Sequence, residues 1–175
     1  MKNVVRTFVL TAAAFALTLS TAAAQATVHG DLLKDWTAMK DQMAKEAAAM
    51  PEDKYGFKPT PAQRSFGEHV LHIAQINVML TQAVGGKTPA PQIDMKATSK
   101  AAMIKAMNDS FDYGIAVIKE FDNKTIQDTI QAPFMGPSTR ARIMFFLLGH
   151  TWDTYGQMAV YLRLNGVVPP ASARP

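Results

Sequence analysis

The chain contains no cysteine among its 175 residues. Disulfide bonds, thiolate metal ligands and a cysteine nucleophile are therefore excluded together, and any metal site must use nitrogen or oxygen ligands. Histidine is scarce as well, with four residues, so a site built on imidazole has few candidates. The sequence also lacks a run of lysine and arginine and the interleaved aromatic residues typical of nucleic-acid binding, so we expect no nucleic-acid partner.

Motifs for nucleophilic and phosphate chemistry are missing too. There is no Ser-His-Asp arrangement with a supporting motif, and Gly85-Gly86 lacks the following lysine and the preceding strand of a phosphate-binding loop. The two glycines are better interpreted as the end of a helix. The sequence therefore assigns no catalytic residue.

Only one long apolar run is present, over residues 8–19, with two cations before it and small residues after it. This order is typical of a secretory signal peptide, which a peptidase can cleave after Ala24 or Ala26; we favour Ala26. We predict a signal peptide over residues 1–26 and a single domain over 27–175, in a periplasmic or secreted location. No other stretch is long enough to span a membrane, so we expect no integral membrane segment after cleavage; an uncleaved anchor is the weaker interpretation.

Four segments have the periodicity of amphipathic helices. They run from Gly30 to Met50, from a Ser65 cap to Val84, from a cap at Thr98 or Ser99 to a last buried position at Phe121, and from Pro137-Ser138-Thr139 to about Asn165. Alternation around residues 126–130 allows a short extended hairpin before the last helix. The pattern predicts an all-α four-helix bundle with long connections and leaves its topology open.

The last helix carries polar residues within its predicted buried stripe. Spacings of three and four relate Ile143, Phe146, Leu147, His150, Thr154, Gln157, Tyr161 and Leu164. Thr154 lies one turn after His150, which is the relation that two histidines need to share a metal ion. Buried polar groups need partners, so His150, Thr154 and Gln157 predict a hydrogen-bond network or a wet cavity. We interpret Trp36 and Trp152 as core residues.

The other three histidines differ in their predicted surroundings. His72 aligns with Ile76 and Met79 on an apolar stripe of the second helix, whereas His69, three residues earlier, is placed at the margin of that stripe. His29 is close to the predicted cleavage site, where we expect disorder or a surface position in the first turn. His72 and His150 are therefore the candidate site residues.

The segments GHTWDTYGQMAVYLRLNGVVPPAS, residues 149–172, and RSFGEHVLHIA, residues 64–74, resemble the DinB-like family of four-helix-bundle proteins. In that family a histidine of the second helix, in a phrase like His-Ile-Ala, joins two histidines spaced i, i+4 in the last helix to bind a divalent metal. The resemblance implies His72, His150 and position 154 as ligands, with zinc or nickel as the metal. Position 154 is threonine here, so the triad is incomplete.

Two functional hypotheses follow from the incomplete triad. The first is an exported DinB-like domain with a degenerate divalent-metal site, acting as a small-ligand-binding or structural module. The alternative is an active metal-dependent hydrolase or thiol-transferase-type enzyme, whose metal is held by His72, His150 and a carboxylate or water. Glu68, at i−4 from His72, and Asp153, at i+3 from His150, are the carboxylates within reach. A small molecule is the expected partner under either hypothesis, and a homodimer is left open.

Overall fold

The structure, a computed structural model, describes residues 26–173. Apart from Ala26, the predicted signal peptide lies outside the described residues. Four helices follow, α1 (Val28–Ala49), α2 (Phe66–Val84), α3 (Lys100–Lys119) and α4 (Arg140–Leu164), with a hairpin of β1 (Thr129–Ala132) and β2 (Gly136–Thr139) before α4. Short 3-10 turns occupy Glu52–Lys54, Thr125–Gln127 and Pro170–Ser172. The predicted all-α bundle with a hairpin before its last helix is confirmed.

Each long helix begins at a hydroxyl side chain that accepts a hydrogen bond from the backbone three residues later; the caps are Thr27, Ser65, Ser99 and Thr139. Such caps satisfy amide groups that have no partner within the helix. Ser65 and Glu68 complete the predicted capping box. Gly85 ends α2 in the left-handed conformation at φ 85°, which glycine adopts without steric cost.

The second strand of the hairpin includes residues that the sequence analysis assigns to the start of the last helix. Thr129 pairs with Thr139 and Ala132 with Gly136 in antiparallel register. Pro137 and Ser138 are therefore strand residues rather than the first turn of α4, which begins only after Thr139.

Two pairs of consecutive helices, α1 with α2 and α3 with α4, lie at opposite corners of the bundle, whereas α2 and α3 are neighbours. Helix α1 packs on α3 and α4, and α2 packs on the same two helices. Consequently α1 lies diagonally across from α2, and α3 lies diagonally across from α4. The long connections before α2 and α4 cover these diagonal crossings. No helix in the described part of the chain is long and apolar enough to cross a membrane.

Trp36 joins α1 to α3 and is fully buried, as the sequence predicts. Its indole Nε1 donates to the carbonyl of Phe111 at 3.0 Å. Gly114 lies under the same ring, and a Cβ atom there would come within 2.5 Å of it. The absence of a side chain at Gly114 therefore lets the two helices meet around the indole.

The buried face of α4 differs from the predicted stripe by about a quarter of a turn. Ile143, Leu147, Thr154 and Tyr161 are buried as expected, but Phe146, Gln157, Leu164 and Trp152 are exposed, and Met144, Leu148, Thr151, Met158 and Leu162 are buried instead. The prediction was wrong because α4 is apolar on more than one face. Spacing alone therefore could not identify the face that meets the core.

Candidate functional site

His72 on α2 and His150 on α4 face each other across the bundle. Their Nε2 atoms are 3.1 Å apart, and both rings are half-buried. Because two imidazole nitrogens can share only one proton, one Nε2 donates and the other accepts. The structure thus brings together the two histidines that the sequence singles out.

Both imidazoles are held neutral. Burial lowers the pKa of His72 to about 4, with smaller contributions from Arg64, His150 and His69. Burial also lowers the pKa of His150, although Asp153 acts in the opposite direction. Neutral imidazole is the form that can bind a metal ion or accept a hydrogen bond from a ligand.

The pair suits two ligands of one metal ion. Two imidazole nitrogens bound at 2.0–2.1 Å to a tetrahedral zinc ion are about 3.3 Å apart, which is close to the observed 3.1 Å. Nickel also accepts imidazole ligands. The donor chemistry and the spacing of His72 and His150 therefore fit a divalent metal.

The third ligand position does not fit. Thr154 is buried, and its hydroxyl donates to the carbonyl of His150 within α4 at 3.1 Å. A neutral hydroxyl engaged with its own helix is a poor substitute for imidazole. Gln157, which the sequence places in a buried network with these residues, is exposed and donates to Asp153 at 2.9 Å. That predicted polar trio is therefore absent, and the partner of His150 is His72.

The two candidate carboxylates are exposed and have other partners. Glu68 accepts from the Ser65 amide and forms an ion pair with Lys58 at 2.9 Å. The backbone hydrogen bond and Lys58 lower the pKa of Glu68. Asp153 accepts from Gln157. Within residues 26–173, no three histidine, aspartate or glutamate side chains are grouped closely enough to hold a metal ion.

His69 is the more deeply buried histidine of α2, contrary to the expectation that it lies at the margin. Its ring packs edge-on against Tyr161, and its Nε2 is 3.3 Å from the Tyr161 hydroxyl. Because that hydroxyl donates its proton to the carbonyl of Arg64 at 2.8 Å, His69 is the donor to Tyr161. The residue joins α2 to α4 and the loop before α2, so its role here is structural.

His29 also differs from its predicted environment. It lies in the first turn of α1, partly buried, and its Nε2 donates to the carbonyl of Ile118 at the end of α3 at 3.0 Å. The expected position in the first turn is confirmed, but the ring is partly buried rather than on the surface. His29 fastens the start of α1 to α3 and is remote in the sequence from the His72 and His150 pair.

An open pocket of about 400 Å³ adjoins His72. Its walls come from the loop before α2, the first half of α2 and the α2–α3 connection: Lys58, Pro61, Ala62, Gln63, Arg64, Glu68, Leu71, His72, Gln75 and Met95. Glu68 neutralises Lys58, so the side chain of Arg64 leaves a surplus positive charge in the lining. An anionic or hydrogen-bonding small molecule suits these walls.

Sequence reasoning missed Lys58 and Arg64 as part of this pocket. Lys58 lies in a proline-containing loop whose path the periodicity does not reveal. Arg64 does carry a signal, because it precedes the Ser65 cap and so must lie at the start of α2, near His72. Arg64 and His72 do line the same pocket.

Comparison with known proteins relates both the sequence and the fold to one family. The DinB superfamily model matches residues 35–158. A DinB-like protein from Bacillus cereus ATCC 10987 has a similar structure, with a TM-score of 0.72 and 19% identity, over 82% of this chain and 96% of that one. The DinB-like protein YjoA from Bacillus subtilis gives a TM-score of 0.62 and 16% identity, over 78% of this chain and 92% of that one. None of the curated proteins matches the sequence significantly. From the extent of the family match, the chain belongs to the DinB superfamily.

Proposed function

We propose that this chain is an exported small-ligand-binding domain in which a degenerate divalent-metal site adjoins a pocket, with His72 in the pocket wall. The observation that carries the proposal is the direct hydrogen bond between His72 and His150, beside a Thr154 hydroxyl that is turned to its own helix. Two imidazoles without a third protein ligand fall short of the three that catalytic zinc sites normally have. The nearby carboxylates, Glu68 and Asp153, are engaged elsewhere.

The pocket beside His72 supports binding of a small anion. Arg64 supplies an uncompensated cation, and Gln63 and Gln75 supply amide groups for hydrogen bonds. A carboxylate or phosphate group near Arg64 would also stabilise the protonated form of His72, because the two are close enough for Arg64 to depress its pKa. Ligand binding and protonation of His72 are thus coupled in this proposal.

Export fits the way the fold begins. Helix α1 starts at Val28, and Thr27 is its cap, so cleavage after Ala26 would leave the first structural residue intact. We infer that the mature chain begins at Thr27 and is released into the periplasm. Mass spectrometry of protein exported with its own leader should find Thr27 as the first residue. An intact leader in membrane-bound material would contradict this inference.

Metal content and metal titration test the central claim. Protein exported with its own leader should carry much less than one metal ion per chain, and zinc or nickel should bind weakly in calorimetry. His72→Gln and His150→Gln should each abolish that weak binding, whereas His29→Gln, which changes a histidine elsewhere in the bundle, should leave it unchanged. One tightly bound metal per chain, lost in both site variants, would refute a degenerate site.

That refuting result would instead favour a metal-dependent hydrolase or thiol-transferase-type enzyme. One observation supports this second candidate: the separation of the His72 and His150 nitrogens is close to that of two ligands on one ion. Water would have to complete the coordination, and a bound metal would supply Lewis-acid activation. The titration distinguishes the two functions because only an enzyme of this kind requires a resident metal.

Ligand binding is tested with inorganic phosphate and succinate as probes. In nitrogen-15 spectra of the histidine rings, either probe should shift the His72 resonances and raise the pKa of His72 towards its ordinary value. Arg64→Gln should remove the effect, and Lys34→Gln, which removes an exposed cation from the outer face of α1, should preserve it. If both variants respond like the wild type, the pocket does not bind the anion.

A further inference from the structure

The outer face of α4 is unusually apolar. Three aromatic residues and a valine, Phe145, Phe146, Trp152 and Val160, are exposed there. Asp153 is the single charged residue among the exposed positions of α4 between residues 145 and 160. By contrast, the outer face of α1 carries aspartates and lysines in the usual manner of a surface helix.

The shape of this face is as distinctive as its composition. Trp152 lies between Gly149 and Gly156, and a Cβ atom added at either glycine would meet nothing within 4 Å. The indole packs edge-on against Tyr155 and is 55% exposed, and bare helix backbone lies on both sides of it. A helix with a projecting ring next to shallow hollows is complementary to a second copy of itself in antiparallel orientation.

The hairpin turn extends the face with one more aromatic ring. Phe134 adopts a positive φ of 50°, which is a strained conformation for a bulky side chain. Its ring is 72% exposed and lies against Phe146, with centroids 6.1 Å apart. The backbone strain thus holds an aromatic residue in solvent beside the apolar face of α4.

The exposed apolar area approaches what a stable dimer requires. Phe134, Phe145, Phe146 and Trp152 are 72%, 42%, 44% and 55% exposed, and an aromatic side chain has about 150–250 Å² to bury. The four rings therefore present roughly 400 Å². With Val160, half exposed, and Leu164, 58% exposed, the total reaches roughly 600 Å² of the about 800 Å² that each partner buries in a standard interface.

We propose that this surface, defined here as the Trp152 face (Phe134, Phe145, Phe146, Gly149, Trp152, Gly156, Val160 and Leu164), binds a second copy of the chain around a twofold axis. In the dimer the indole of each copy fills the glycine hollow of the other. A lipid surface is a poorer partner, because membrane-binding helices are rich in lysine and arginine on their polar side, and the exposed cations of α4 are only Arg142 and Arg163, near its two ends.

Sedimentation velocity on the mature chain tests the proposal over a range of concentrations. The wild type should sediment as a dimer. Trp152→Gln should raise the dissociation constant of the dimer by at least about thirtyfold for each copy of the residue, as expected for a central aromatic anchor. Because the dimer contains two copies, the total increase is about a thousandfold. The matched control is Met79→Gln, which changes an exposed apolar residue on α2 and should leave the dimer intact.

Gly156→Leu separates loss of the dimer from loss of the fold. Leucine fills the hollow, so it should also produce a monomer, while its better helix propensity should raise the melting temperature of that monomer by about 2–4 °C. A wild-type chain that stays monomeric at about 1 mM would overturn the proposal, as would dimers unaffected by Trp152→Gln and Gly156→Leu. Cosedimentation with phosphatidylcholine or phosphatidylglycerol vesicles should be negligible, and binding that depends on Trp152 would assign the face to lipid instead.

Discussion

Thr154→His tests whether the site lacks only its third ligand. The substitution places an imidazole at i+4 from His150, on the side of α4 that faces His72. Three nitrogens can then surround one ion, as in catalytic zinc sites with three protein ligands. The variant should therefore bind zinc or nickel more tightly than the wild type by orders of magnitude.

Two opposing effects on stability give the experiment a clear signature. Thr154 is almost fully buried, so the larger imidazole should destabilise the metal-free variant by about 1–3 kcal/mol through overpacking. Metal at about one hundred times its dissociation constant adds about 2.7 kcal/mol. At about 2–4 °C per kcal/mol for a domain of this size, the metal should raise the melting temperature by roughly 5–10 °C.

Thr151→His is the matched control. Thr151 is also buried on α4, and its hydroxyl donates to the carbonyl of Leu147 at 2.9 Å, just as Thr154 donates to His150. The control should show the same cost of overpacking without the metal-dependent gain, because its side chain projects about 100° away from that of His150. If the titration curves of the two variants coincide, the degenerate-triad explanation fails.

Three further predictions concern the fold around the site. Glu46 is fully buried, and its carboxylate has no hydrogen-bond partner among residues 26–173. Burial raises the pKa of Glu46 to about 7. The contribution of protonated Glu46 to the stability of the fold is therefore fully present below pH 4.5 and is lost as the pH rises through 7. Glu46→Gln should match the wild type in urea melts at pH 4.5 and be about 1–3 kcal/mol more stable at pH 8, whereas a difference independent of pH would contradict the buried acid. Gly114→Ala should cost about 1–3 kcal/mol because its Cβ atom would meet the indole of Trp36, and an unchanged melting temperature would show that α1 and α3 can separate there. Ser65→Ala should lower the free energy of unfolding by about 1 kcal/mol, because it removes the hydroxyl that accepts from the Glu68 amide in the capping box. No loss of stability would mean that the Glu68 side chain alone is enough to cap the N-terminus of α2.

The helices could be predicted because their limits are set by local chemistry. Caps at Ser65 and Ser99 and the glycine at position 85 act within a few residues of the backbone they satisfy. The bundle order could not be predicted in this way, because long connections allow several arrangements of the same four helices. Only the packing shows that α1 lies diagonally across from α2.

Burial of individual histidines was harder to predict than their positions on helices. His69 and His72 are three residues apart and therefore lie on nearly the same side of α2. Which of them is buried depends on Tyr161, whose ring covers His69 from α4. In the same way, the carbonyl of Ile118 gives His29 a partner 89 positions away in the sequence. Partners so distant leave no periodic signal near the residue they bind.

The hydrogen bond between His72 and His150 also gives the pair a structural role. Two neutral imidazoles that share one proton link α2 to α4 directly, and such a bond contributes about 1 kcal/mol to stability. Burial keeps the pKa of His72 near 4, so this link persists at neutral pH without an ion. Thr154 adds a hydrogen bond within α4, from its hydroxyl to the His150 carbonyl. The pair is therefore a structural brace between α2 and α4, and His72 also lines the pocket.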